Sequence, residues 1–160
     1  MTGMTAASPK ATIRLARAAD AGELARLYRQ LVDDPAIRVL PERLQALADG
    51  ERAQVLVCEG EGRLAASAWL GFCEDVMYGG QPFAVLENIV VDRDWRGRGL
   101  GRALLDEARR RCLARGCSKI MLLSSAQRAD AHRFFLQAGF RGDAKRGFVM
   151  YRRDMAAAQT

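Results

Sequence analysis

The chain has 160 residues, 49% of them hydrophobic, and a formal charge of +6 at pH 7. That suits one globular domain burying roughly 70% of its unfolded surface. No apolar run approaches the roughly 20 residues of a membrane span, and the N-terminus lacks a secretory pattern. Four cysteines and one histidine give neither zinc-ligand spacing nor a dense disulfide framework, so a metal-free protein of the reducing cytoplasm is expected. The charge favours an anionic ligand, and ordinary solvated surface explains it better than nucleic acid does.

Residues 1–10 read as a mobile tail, 11–155 as a single domain and 156–160 as a second tail. Thr12 to Arg17 is strand-like, and Asp20 suits the cap of a helix running to about Val32. Leu24, Leu27, Tyr28 and Leu31 share one face of that helix. Pro41 fits the first turn of a second helix closed by Gly50. Gln54 to Glu59 and Arg63 to Cys73 read as strands joined through Glu59-Gly60-Glu61-Gly62, a hairpin signal. After Gly79-Gly80-Gln81-Pro82 comes a strand from Phe83 to Val91. The helix Gly99 to Arg115 repeats Leu100, Leu104, Ala108 and Cys112 at four-residue steps before Gly116. Lys119 to Leu123 is the next strand. Ser124 and Gln127 have capping-box spacing ahead of a helix with Ala131, Phe134, Phe135 and Ala138 on one face, and Gly139 ends it. A last strand pair follows Phe140, with Phe148, Met150 and Tyr151 in the final strand. The order β-α-α-β-β-β-α-β-α-β-β predicts one mixed sheet covered by helices.

The stretch Val90-Val91-Asp92-Arg93-Asp94-Trp95-Arg96-Gly97-Arg98-Gly99-Leu100-Gly101-Arg102 carries the chemistry. A β-branched run ends in a charged turn, then places three glycines within five positions at the start of a helix. Glycine leaves backbone N–H groups uncovered. The first turn of a helix adds unpaired donors and the positive end of its dipole, so the segment is an anion cradle suited to phosphate or pyrophosphate. It is not a P-loop, because Arg102-Ala103 stands where Lys followed by Ser or Thr is needed. Nor is it a dinucleotide fingerprint, because Gly97, Gly99 and Gly101 have the wrong final spacing.

Arg96-Gly97-Arg98-Gly99-Leu100-Gly101 resembles the signature of the GNAT superfamily of N-acetyltransferases: Arg or Gln, two residues, Gly, one residue, then Gly or Ala. Glu87-Asn88-Ile89-Val90-Val91 is similar to the family's central strand. Ala131-His132-Arg133-Phe134-Phe135-Leu136-Gln137-Ala138-Gly139-Phe140 is similar to its second cofactor helix. The element order agrees along roughly residues 12–154. The resemblance implies an α/β (α+β) fold with a central, mostly antiparallel mixed sheet, splayed middle strands and about four helices. It implies acetyl-coenzyme A as co-substrate, with no metal. Backbone groups of Ile89, Val90 and Val91 would pair with the pantetheine amides. Arg96, Gly97, Arg98, Gly99, Leu100, Gly101 and Arg102 would surround the pyrophosphate. Arg128 and Arg133 would meet the nucleotide phosphates or stay solvated, and Phe135 would lie beside the coenzyme sulfur.

Acetyl transfer to an amine needs a base, a held carbonyl and a proton for the departing thiolate. Glu87 is the leading base, at a position where partial desolvation would favour proton uptake, or else a structural carboxylate. Phe135 stands where the family usually has a tyrosine, and phenylalanine has no proton to give. Tyr78 is the replacement expected from the loop, ahead of Ser125, Cys73 and His132. The Asn often found earlier in this motif is also absent, with Arg128 in its place. The acceptor is expected to be a small-molecule amine, met by the first two helices, Asp33-Asp34 and the Asp75 to Gln81 loop. Asp33, Asp34, Glu74 and Asp75 would favour a cationic acceptor; Arg38, Arg43 and Lys145 an anionic one. A protein or peptide acetyltransferase and a non-catalytic acyl-coenzyme A sensor are the alternatives. Neither a nucleic-acid nor a membrane partner is expected, and a homodimer fits the resemblance and the apolar final strand.

Overall fold

The computed structural model describes residues 11–157, so the expected tail at 1–10 and residues 158–160 of the tail expected at 156–160 lie outside the described residues. The chain divides at Leu122/Leu123 into two compact units.

The first unit contains β1 (Thr12–Leu15), α1 (Ala21–Leu31), α2 (Pro41–Asp49), β2 (Ala53–Gly60), β3 (Arg63–Cys73), β4 (Phe83–Val91), α3 (Leu100–Ala114) and β5 (Ile120–Met121). The strands form one sheet in the order β1-β2-β3-β4-β5. Its first four strands are antiparallel, and β5 runs parallel to β4. The β2–β3 turn has positive φ at both Glu61 (51°) and Gly62 (75°), the backbone that matches the natural twist of a two-residue hairpin. From α1, Leu24 and Leu27 are buried against Val55, Val57, Leu64 and Val90, with Tyr28 and Leu31 packed on the same cluster. The four-residue stripe of α3, Leu100, Leu104, Ala108 and Cys112, is buried as its periodicity predicts. Asp20 stands at the N-cap of α1 but bonds no amide of that helix. Its carboxylate instead accepts from the Arg17 N–H at 2.8 Å and from Arg14 at 2.8 and 2.9 Å.

The second unit contains α4 (Ala129–Gln137) and α5 (Arg152–Ala157). The capping box expected at Ser124 and Gln127 is not formed. The N-cap is Arg128, without a side-chain cap, because a turn closed by the Arg128 N–H on the Ser125 carbonyl (3.0 Å) occupies the preceding residues. Gly139 ends α4 with φ of 96°, and the Phe140 N–H reaches back to the Phe135 carbonyl at 3.0 Å, the glycine-assisted stop expected there. The final strand pair is a second correction. Residues 140–151 form no strand, and α5 takes up chain expected to be strand and tail. The run Phe148, Met150 and Tyr151 has strand composition, but a strand is stabilised by a cross-strand partner and none pairs with it among the described residues. Lys119 to Leu123 likewise contributes only the two paired residues of β5.

Candidate active site

The middle of β4 departs from regular strand geometry. Glu87 pairs with Trp69 and Val90 with Ser67, so Asn88 and Ile89 together face the single residue Ala68. Asn88 has φ of 52°, a left-handed conformation that Asn tolerates better than most residues. The result is a β-bulge, which bends the strand and re-aims its amides. On its other side β4 pairs with β5 only at Ala84 and Val85. Among the described residues, the edge from Leu86 to Val91 therefore has no strand beside it. Its peptide groups are available to an extended ligand.

That edge leads into the glycine-rich turn, which is braced from α1. Asp92 is buried. One carboxylate oxygen accepts from the Asp94 N–H at 3.0 Å; the other accepts from Arg26 and, at 3.3 Å, from Gln30. Arg26 also donates to the Leu64 carbonyl at 2.8 Å, and the Gln30 amide oxygen accepts from the Arg93 N–H at 3.0 Å. Burial pushes the Asp92 carboxyl up, but the Asp94 N–H and Arg26 outweigh it and hold the group below the usual carboxylate range. Trp95 lies against Gly60 so closely that a Cβ there would fall 2.5 Å from its ring. The Arg98 guanidinium stacks on the Trp95 ring, 4.5 Å from its centroid.

Gly97 and Gly99 then adopt φ of 76° and 79°, and a Cβ at either would enter open space. Gly99 is the N-cap of α3, whose first amides have no intrahelical acceptor. These features fit a pyrophosphate: donors are presented, no side chain covers them, and Arg96, Arg98 and Arg102 supply positive charge.

Glu87 lies one residue before Asn88, exposed, with neither a hydrogen bond nor an ion pair among the described residues. The partial burial expected for a base is thus not supplied by this chain alone. Tyr78 is 71% exposed in the β3–β4 loop, where its carbonyl accepts from the Gln81 N–H at 3.3 Å. Cys73 ends β3 half-buried. The remaining candidates belong to the second unit. Arg128 is exposed at the N-cap of α4, Arg133 pairs with Asp130, and His132 Nε2 lies 2.8 Å from the Ser125 carbonyl. Phe135 is buried against Phe140, edge to face at 5.9 Å, and against Phe134 at 5.2 Å.

Sequence reasoning missed Asn88, Arg26 and Gln30. The first differs from its neighbours only in backbone conformation. The other two act on a loop more than sixty residues away, and no local pattern announces that.

At the opposite end of β4 from the cradle, a groove runs between the end of α2, the end of β3 and the end of α3. Arg43, Arg52, Arg115, Phe72, Glu51 and Glu74 line it.

An open strand edge running from a bulge into a phosphate cradle defines a site for an acyl-coenzyme A, whose amide-bearing arm ends in a pyrophosphate. The pattern of the acetyltransferase (GNAT) family matches residues 23–140, and the chain belongs to that family. It is an N-acetyltransferase with acetyl-coenzyme A as co-substrate. It is similar to an aminoglycoside N(6')-acetyltransferase type 1 of Stenotrophomonas maltophilia, 34% identical over 86% of this chain and 89% of the relative. A glucosamine 6-phosphate N-acetyltransferase of Trypanosoma brucei brucei is 35% identical over 50% of this chain and 52% of its own length. Among solved structures, a Trypanosoma brucei acetyltransferase superposes with a TM-score of 0.73 at 25% identity, over 89% of this chain and all of that one. No described helix is long and apolar enough to cross a membrane, and no described cluster of His, Cys, Asp and Glu is built to hold a metal ion.

Proposed function

We propose that the protein transfers the acetyl group of acetyl-coenzyme A directly to a primary amine of a small molecule, with Glu87 as the base. The observation that carries this reading is an unpaired carboxylate on Glu87, beside the Asn88 bulge at the open edge of β4. The names of the two curated relatives, one for aminoglycosides and one for an amino-sugar phosphate, support a small amine as acceptor.

Bound acetyl-coenzyme A supplies the acetyl group as a thioester. The strand edge Ile89 to Val91 holds the pantetheine arm, and the turn from Arg96 to Arg102 holds the pyrophosphate. An N–H exposed by the bulge hydrogen-bonds the thioester carbonyl, where negative charge develops during attack. A primary amine with a pKa of about 10 is protonated at pH 7. Glu87 therefore takes its proton, directly or through water, before nitrogen attacks the carbonyl carbon. The new C–N bond forms as the C–S bond breaks, the nitrogen gives its second proton to solvent to leave a neutral amide, and the thiolate takes a proton. Phe135 cannot supply it; Tyr78, on the loop that follows β3, is the donor we assign. Arg128 and Arg133 are assigned to the nucleotide phosphates.

The test is acceptor-dependent release of free thiol from acetyl-coenzyme A across a panel of amino sugars, aminoglycosides and lysine-bearing peptides. Turnover with a small amine and none with peptides is the expected result. Turnover confined to peptides overturns the assignment of the acceptor.

A further inference from the structure

Trp69 is the direct cross-strand partner of Glu87. Residues opposite one another in an antiparallel pair point to the same face of the sheet, with Cβ atoms about 5 Å apart. That face is the one covered by α1 and α2, because Trp69 packs against the cluster of Leu24, Leu27, Leu44, Val55 and Val57. The indole runs on along β3 and lies over Gly71, two residues further and on the same face. A Cβ at Gly71 would collide with the ring, so glycine there is what lets the indole lie down on the strand. The ring is nevertheless only half-buried. Its Nε1–H meets no acceptor among the described residues and is not sealed from solvent, whereas a buried tryptophan N–H ordinarily finds a partner. Trp69 is thus an apolar platform with a free donor at its rim, beside a carboxylate that also lacks a partner among the described residues.

Coenzyme A leaves this platform uncovered. The open edge assigned to the pantetheine arm is on the side of β4 away from β3, and the cradle lies beyond Val91. From the Trp69–Glu87 pair to the Gly71–Val85 pair is two residues, or about 7 Å at about 3.4 Å per residue. That is the span of one six-membered ring with an amine at its margin. A hydroxylated ring carries C–H bonds on its faces and oxygens at its rim. Its face sheds water against the indole while the rim bonds the free N–H. We infer that Trp69 is the residue that positions the acceptor: its indole receives the apolar face of a hydroxylated ring, its Nε1–H donates to an oxygen of that ring, and the ring's amine is thereby set on Glu87. The inference rests on the reading of the chain as a small-molecule N-acetyltransferase with Glu87 as base. It adds a requirement for the ring itself, which an open-chain amine carrying the same groups does not meet.

The experiment uses the full chain with acetyl-coenzyme A, and with glucosamine and its open-chain alditol, glucosaminitol, as acceptors. Glucosamine is expected to give at least tenfold the kcat/KM of the alditol. Trp69→Ala is expected to raise the glucosamine KM at least tenfold and to erase that preference, with the KM for acetyl-coenzyme A unchanged. Trp69→Phe, which keeps a platform and loses the donor, is expected to fall between. Gly71→Ala, which drives the ring off the strand, is expected to move in the same direction as Trp69→Ala. Circular dichroism checks that each variant is folded. Emission from Trp95→Phe needs no turnover, because Trp69 is then the one indole of the two left; glucosamine is expected to change it saturably. Equal use of the two amines, an unchanged glucosamine KM in Trp69→Ala, or flat emission overturns the inference and leaves the transferase reading standing. A saturable change in emission with no thiol released from any amine keeps the platform and sinks the transferase reading.

Discussion

Two residues carry the chemistry proposed for the site, and each can be tested alone. Glu87 has no structural partner to lose, so Glu87→Gln is expected to leave the fold and acetyl-coenzyme A affinity unchanged while lowering kcat at neutral pH by about 100-fold or more. The rate–pH profile checks this, because loss of the base removes the rise on its acidic side; an unchanged profile removes Glu87 from the mechanism. Gly99 combines a φ of 79° with open space where a Cβ would stand. Gly99→Val therefore strains the backbone and places a branched side chain over the α3 amides. Calorimetry is expected to find acetyl-coenzyme A binding lost, and wild-type affinity would contradict the position of the pyrophosphate. Both residues stand out in the sequence, one as an acid ahead of an apolar strand and the other in a glycine cluster. Asn88 does not, because its role is a backbone angle.

At the level of elements, α1 acts on the cradle through Arg26 and Gln30, and the knot is Asp92. Asp92→Ala removes the acceptor of two side-chain donors and one N–H while leaving Arg26 partly buried. Arg26 keeps its ion pair with Glu23, so a loss of about 2 kcal/mol is expected in denaturant unfolding, with weaker acetyl-coenzyme A binding in the same variant. A structural role confined to α1 would move the first without the second. On α3, Glu107 bonds Arg110 at 2.7 and 2.8 Å and Arg111 at 2.7 Å. The Arg110 bond, offset in part by burial and reinforced by Arg111, lowers its carboxyl from 4.5 to about 2. Asp20 and Asp92 are also lowered. A carboxyl whose pKa is depressed by folding stabilises the native state above its unfolded value and loses that contribution as protons bind. Unfolding midpoints are therefore expected to hold from pH 7 to about 5 and to fall between pH 4.5 and 2. A flat profile across that acid range would contradict these pairings.

Across the whole chain, the readable parts are those whose signal is local. The α3 stripe, the Pro41 start of α2 and the Glu61-Gly62 turn each follow from spacing or from one residue's backbone preference. The open edge of β4 is legible only through resemblance, because it depends on where β5 stops pairing rather than on either strand's composition. The last strands fail for the converse reason. Phe148 to Tyr151 has the composition of a strand, but pairing requires a second segment in register, and sequence pattern cannot certify that such a partner is in place. The site divides the same way. The glycine cradle is written in consecutive residues, whereas its brace brings Arg26 and Gln30 of α1 to Asp92, so only folding brings them together.

The stack of Arg98 on Trp95 gives the molecule an internal optical probe. Only two tryptophans are present, and Trp69 sits on β3 with its ring over Gly71, away from the turn. An anion entering the cradle competes for Arg98 and draws its charge from the Trp95 indole. Coenzyme A titration is therefore expected to change intrinsic emission saturably, and Trp95→Phe should abolish most of the change while Trp69→Phe preserves it.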